Sequence, residues 1–254
     1  MTAGQQEVRM FQRIEVKPAY RVVCETIEAQ IVAGTLRPGT LLPTETQLAD
    51  SFGLTRHTVR EGLRQLEKSG LVGRAAGRRL AVRLPDHAEL APRATQILRM
   101  QGVTFHELWE ASMLLEPESA RGAAAHVAPP DLAALDANLA AMEDAVRAGR
   151  SIIALDVEFH ALLAAIAANK ALMLAREPVS QLFFPALKQL FDHPRTRDSG
   201  PRRLIEAHRQ IVAALRARDG VMAEAWMRRH IQDFRRGYDV CGLDTDQPLP
   251  ASFG

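Results

Sequence analysis

Residues 44–70, TETQLADSFGLTRHTVREGLRQLEKSG, are punctuated so closely that only short helices fit between the stops. Thr44 with Gln47 three residues later makes a capping-box start, Gly53 is a stop, Thr55 is a second cap, and Gly70 closes the following run. A helix over 45–51 is therefore expected, then a tight glycine-containing turn, then a longer helix whose buried stripe is Val59, Leu63 and Leu66. Upstream, Val23, Ile27 and Ile31 recur at i, i+4 and i+8, which predicts an amphipathic helix over 18–33 ended by Gly34. LRPGTLLP then reads as a turn and a short extended piece. Downstream, LVGRAAGRRLAVRL places two apolar extended segments around Gly77, with Arg74, Arg78 and Arg79 at the tip, the pattern of a basic β-hairpin.

Two short helices joined by a tight turn form a helix-turn-helix, whose second helix enters the major groove by its N-terminal turns. Arg56 and Arg60 fall in those turns, and Arg64 lies one turn deeper, where phosphate or water is the expected partner. An arginine stripe alone is equally an ordinary solvated helix face, and an exposed helix position is the expected place for His57. Helix, turn, helix and a basic wing that can lie along a minor groove or phosphates together point to double-stranded DNA. Charge partitions accordingly. Residues 1–84 hold 13 Lys/Arg against 8 Asp/Glu, leaving 19 against 22 in the remainder of a 254-residue chain whose net charge is only +2.

LLPTETQLADSFGLTRHTVREGLRQLEKSGLV resembles the winged helix-turn-helix of the GntR superfamily of bacterial transcription regulators. The resemblance implies that Arg56 and Arg60 read DNA, that Thr55 and Thr58 lie near the DNA backbone, and that Gly77 lets the wing, with Arg78, approach. It makes Arg60 the candidate for a bidentate contact to guanine O6 and N7. The chain departs from many members at Thr46, where they carry Arg, and at Thr58, where they carry Pro.

From about Thr95 to Gly237 apolar residues recur with helical spacing and strand-like alternation is absent, which predicts about six or seven helices packed as an antiparallel bundle. RLPDHAELAPR, with two prolines and little periodicity, reads as a linker. Within the bundle, Asp156 and His160 stand at i and i+4, beside a stripe holding Leu155, Phe159 and Leu163. His208 aligns with Leu204, Ile211 and Leu215, and His230 with Trp226 and Phe234. A lone histidine on an apolar face is usually a satisfied core residue. Three, with a carboxylate at ligand spacing, leave two readings open from the spacing: each is buried and hydrogen-bonded separately, or one divalent ion satisfies all four.

This half is similar to the FCD domain of the FadR-like branch of the same superfamily, through ELWEASMLLEPESARGAA, DVEFHALLAAIAANKAL, EAHRQIVAAL and AEAWMRRHI. The resemblance implies a metal site made by Asp156, His160, His208 and His230, with ligand types that suit Zn²⁺, Ni²⁺ or Mn²⁺, zinc foremost. It implies too that a small carboxylate effector binds at the metal and shifts the DNA-binding domains. Ser112 stands where members often carry an Arg before the L-E-P motif, and Asn169 is read as a helix cap.

The organisation expected is a 1–12 tail, a winged helix-turn-helix over 13–84, a linker over 85–95, an all-helical effector and metal-binding domain over 96–240, and a 241–254 tail. The function expected is a cytoplasmic, homodimeric DNA-binding regulator and not an enzyme, its operator affinity modulated by an organic acid. The alternatives are a metal sensor, a metal-free sensor of an acyl ligand and, further off, a metal-dependent hydrolase. No H-E-x-x-H motif supports the last. Cys24 and Cys241, far apart in sequence, suit a reduced compartment, and no apolar run approaches the roughly 20 residues of a membrane span.

Overall fold

The computed structural model describes residues 17–75, 79–84 and 87–249. Gly77, Arg78 and the 1–12 tail lie outside the described residues. The chain divides into two compact units, Met1–Asp86 and His87–Gly254.

The first unit contains α1 (Ala19–Val32), α2 (Glu45–Phe52), α3 (Arg56–Lys68), β1 (Val72–Arg74) and β2 (Leu80–Val82). Its core joins one stripe from each element: Val23 and Ile27 of α1, Leu48 of α2, Val59, Leu63 and Leu66 of α3, and Val72 and Val82 of the hairpin. Thr44 and Gln47 form a reciprocal capping box, and Gly53 takes the left-handed conformation (φ 64°) that lets the chain turn from α2 into α3. Antiparallel β1 and β2 pair Val72 with Val82 and Arg74 with Leu80. The extended piece before α2 adds to β2: Gly39 and Leu42 donate to the carbonyls of Val82 and Leu80, both at 2.8 Å. Gly62 is where α3 presses on α1, because a Cβ there would stand 2.8 Å from the Tyr20 carbonyl and 3.0 Å from Val23.

The second unit is helical: α4 (His87–Met100), α5 (Phe105–His126), α6 (Pro129–Arg147), α7 (Ile153–Ile166), α8 (Lys170–Ala186), α9 (Lys188–Asp192), α10 (Gly200–Arg216) and α11 (Gly220–Cys241). These eight helices, among the described residues, exceed the six or seven expected. Among the breaks between them are 101–104, 167–169, where Ala168 takes a positive φ, and Leu187, between α8 and α9. α11 packs along α5 and α10, and α7 and α8 close the bundle against α5. No helix among the described residues is long and apolar enough to cross a membrane.

Two sequence expectations need correction. The 85–95 stretch is not a linker from His87 onward, because α4 runs through it. Ala91 is buried, Thr95 donates its hydroxyl to Gln181 of α8, and Leu98 joins the core, a helical repeat that continues past Pro92. Pro92 lies beyond the first turn, where it removes the donor to the carbonyl four residues back and crowds it, yet α4 continues past it because the following turns pack on the bundle. Nor are 241–254 a loose tail throughout: Thr245 is buried, its carbonyl accepts from His106 N, and Leu249 N donates to Val103 O. Leu243 and Leu249 supply the apolar surface that holds this segment.

Gly62→Ala should destabilise the first unit. Overpacking against a backbone carbonyl costs about 1–3 kcal/mol, more than the helix-propensity gain of about 1 kcal/mol. Thermal unfolding followed by circular dichroism should show a lowered first transition, and an unchanged or raised one would refute the close approach.

Candidate nucleic-acid face and metal centre

On α3 the side chains of Arg56, Arg60 and Arg64 are all exposed, as a groove-reading helix requires. Arg60 is held across the turn by Glu45, the first residue of α2: its Nε donates to both carboxylate oxygens at 3.0 and 3.2 Å, and its Nη2 to Oε2 at 2.8 Å. Arg56 reaches the same carboxylate at 4.0 Å, and Arg64 lies 3.7 Å from Glu61. The hydrogen bonds from Arg60, above all, hold the Glu45 carboxyl below its ordinary range. The Nε/Nη2 edge, one of the two a guanidinium can offer a guanine, is therefore occupied by Glu45 in the DNA-free chain. Thr55 caps α3, accepting from Thr58 N at 3.2 Å, and the two threonine hydroxyls share a hydrogen bond of 2.9 Å. On the wing, Arg79 donates to the Leu42 carbonyl at 3.0 Å and Arg74 lies 3.6 Å from Glu67.

In the second unit, Asp156 and His160 project from one face of α7, His208 from α10 and His230 from α11, and all four are buried. One ligand atom from each lies within 4.8 Å of the others. His230 Nε2 is 3.3 Å from both His160 Nε2 and His208 Nε2, and Asp156 Oδ1 is 3.3 Å from His208 Nε2 and 3.8 Å from His160 Nε2. Aromatic rings fix the imidazoles. Phe159 stacks on His208 with centroids 3.7 Å apart, and Phe184 and Phe234 press on His160 and His230 at 4.4 and 4.5 Å.

The sequence reading missed two members of this centre. Glu116 of α5 accepts from His160 Nδ1 at 2.8 Å, and Arg176 of α8 donates from Nε to the other Glu116 oxygen at 2.9 Å. Burial by itself raises the Glu116 carboxyl, but Arg176 and then His160 outweigh it and bring it down to about 2. An ionised Glu116 places the His160 proton on Nδ1, so Nε2 turns its lone pair to the cluster. A signal for Glu116 was present, since it falls in line with buried Leu108, Ser112 and Ala120 along α5. Arg176 likewise shares a buried face with Ser180 and Phe183.

The donor set fits a divalent cation. Burial drives the Asp156 carboxyl up to about 7 and, with the neighbouring imidazoles, lowers His208 and His230 well below the ordinary histidine value. Neutral imidazoles expose lone pairs, but three Nε2 atoms facing one another cannot all be satisfied by protons. Both Asp156 oxygens are buried without a hydrogen-bond partner. Ligand atoms held about 2.0–2.2 Å from one ion stand roughly 3–3.5 Å apart; three of the separations here are 3.3 Å, and the wider ones, 3.8 Å between Asp156 and His160 and none beyond 4.8 Å, are within a small side-chain adjustment of that spacing.

Comparison with known proteins places these features in a family context. The model of the FCD domain matches residues 107–233, and the model described as bacterial regulatory proteins, gntR family, matches 19–82. The Glc operon transcriptional activator of Escherichia coli (strain K12) is 26% identical over 87% of this chain and 89% of its own. The HTH-type transcriptional regulator LutR of Bacillus subtilis (strain 168) is 29% identical over 81% of this chain and 95% of its own. Among solved structures, Streptococcus agalactiae GntR aligns with a TM-score of 0.65 at 26% identity, covering 85% of this chain and 99% of that one.

Arg176→Met removes the larger of the two influences that hold the buried Glu116 carboxyl ionised and leaves it with only His160 as partner, so a stability loss of about 3–5 kcal/mol is expected. Urea unfolding of the helical unit measures it. A loss under about 1 kcal/mol would mean that water already shares the pair.

Proposed function

The chain belongs to the gntR family of bacterial regulatory proteins and carries an FCD effector-binding domain; from that premise we propose that its helical unit holds a divalent metal ion and senses a small organic acid there. It is a DNA-binding transcription regulator, and its family and relatives are regulators rather than enzymes. In the proposal, Asp156, His160, His208 and His230 hold the ion, and Arg56 and Arg60 read operator DNA with Thr55, Thr58, Arg64, Gly77 and Arg78 beside the backbone.

One observation carries the metal reading: four buried ligand atoms from three helices converge, and among the described residues neither Asp156 oxygen has a hydrogen-bond partner. When bound, the ion supplies an electrophilic centre with coordination positions that the four side chains leave for an anion. The protein's part is orientation. Glu116 sets the His160 tautomer, Arg176 keeps Glu116 ionised, and Phe159 clamps the His208 ring. Charge supports an acid as the effector. Glu116 and Arg176 cancel, so Asp156 with a divalent cation carries one net positive charge in a low-dielectric core, which a carboxylate neutralises. Among the ions this donor set takes, zinc suits it well, with nickel and manganese as alternatives.

At the other unit, Glu45 orders the Arg60 fork before DNA arrives. A second copy of the chain supplies the second half-site contact, since one winged helix reaches few base pairs. Effector and operator are then coupled through this dimer, by about 1–3 kcal/mol in typical cases.

Two measurements test the proposal. Elemental analysis of purified protein should find near-stoichiometric metal in the parent and little in His208→Ala; equal content in both would overturn the ligand set. Arg60→Ala should cost about 1–3 kcal/mol of operator binding and relax base preference. Titration of labelled operator and of scrambled duplex measures both, and unchanged selectivity would remove Arg60 from the reading helix.

A further inference from the structure

α9, α10, α11 and the 193–199 turn surround a cavity of about 370 Å³ that the metal centre touches at one residue only, His230. Its apolar wall is made by Leu190 and Phe191 of α9, Leu204 of α10, and Phe234 and Val240 of α11, and Thr196 and Ser199 add two hydroxyls. Three guanidiniums line it, Arg195, Arg203 and Arg236, against one carboxylate, Asp233. Asp233 is shared, lying 3.5 Å from Arg203 and 2.9 Å from Arg236, and Arg195 donates to the Val240 carbonyl at 2.8 Å. The lining therefore keeps a net positive charge at the edge of an apolar hollow.

That combination selects a ligand class. A cavity in the range of small-molecule sites, with apolar walls and a few fixed polar groups, binds by burying an apolar body and orienting it through the polar ones. Its volume exceeds the roughly 150 Å³ that takes up benzene in an engineered core. Arginine pairs carboxylates through a planar fork, and one aspartate cannot occupy the donors of two such forks. The Thr196 hydroxyl already donates to the Leu190 carbonyl, so Ser199 is the one further hydroxyl in the lining, and the hydroxyls of a polyol or sugar lying against Leu190, Phe191, Leu204 and Phe234 would go unpaired, at a desolvation cost. A cation is repelled by the three arginines.

We infer that this cleft binds a monocarboxylate with an apolar body, its carboxylate on Arg203 and Arg236 and its body against Leu204, Phe191 and Phe234. The α11 segment that carries Phe234 and Arg236 also carries His230, and the Phe234 ring lies edge-on to the His230 ring at 4.5 Å. Occupancy of the cleft thereby bears on the metal centre from the side of α11. The inference rests on the reading that the helical unit senses an organic acid, and it specifies the body of that acid.

The test is calorimetric titration of the full-length, metal-loaded protein with octanoate, 1-octanol and oxalate, paired with operator-binding titrations in the presence of each acid. Octanoate should bind at least tenfold tighter than 1-octanol. Arg203→Gln/Arg236→Gln should weaken octanoate at least tenfold while metal content and oxalate binding stay as in the parent. Both arginines are about two-thirds exposed, so the double variant is expected to fold. Val240→Trp, at a half-exposed position on the mouth, should give the same loss by filling the cleft. Octanoate binding that is equal in parent and variants, or equal to that of 1-octanol, overturns the inference. If octanoate fails while oxalate still binds and shifts operator affinity, the cleft is wrong and the sensor reading stands. If octanoate binds the cleft while neither acid shifts operator affinity, the cleft stands and the sensor reading falls.

Discussion

Removing Asp156, three imidazoles and the Glu116–Arg176 pair from water is the energetic demand around which the helical unit is organised. A buried carboxylate without a partner is costly, and here both of its oxygens are in that position. The remaining groups compensate one another in a chain: Arg176 offsets Glu116, Glu116 fixes His160, and the phenylalanines immobilise the rings. With His208 and His230 the cluster draws on α5, α7, α8, α10 and α11, so these helices can take only positions that keep the chain intact. The apolar core around it, with Phe105, Phe183, Leu163 and Met227 fully buried, supplies the driving force. The polar chain limits which packing of that core is acceptable.

A comparable arrangement, at lower burial, organises the first unit. Glu45 begins α2 and meets Arg60 on α3 across the turn, so the acid that favours the N-terminus of one helix also holds the arginine of the next. Exposed ion pairs contribute little stability, so the pair matters for orientation more than for folding. It limits the rotamers of a long side chain on the face that meets the groove, and any base or phosphate contact must compete with the carboxylate.

Much of this was legible in the residue order. The capping box at Thr44, the cap at Thr55 and the stripe of Val59, Leu63 and Leu66 appear where spacing put them, because each depends on hydrogen bonds or faces within a few residues. Asp156 and His160 were readable as a pair for the same reason. Glu116 and Arg176 were passed over although they sit in apolar stripes, because attention to histidines alone ignores a charge whose partner lies 60 residues away. Pro92 reads as an interruption because proline is a strong stop in a helix interior, and only the packing of Thr95 and Leu98 on the bundle carries α4 past it. Residues 243–249 lack periodicity altogether, and only their docking against the start of α5 orders them.

By itself, the sequence determined where α1, α2 and α3 begin and end, which faces are apolar, and which residue types could meet a metal or a DNA groove. Those properties follow from backbone geometry over a turn or two. Tertiary structure alone decided that three Nε2 atoms and a carboxylate oxygen meet within 4.8 Å, that Arg60 is engaged by Glu45, and that a charged apolar cleft adjoins His230. The physical reason is that convergence depends on the angles and registers between helices. These are set by the simultaneous packing of the whole apolar surface, which no window of sequence contains.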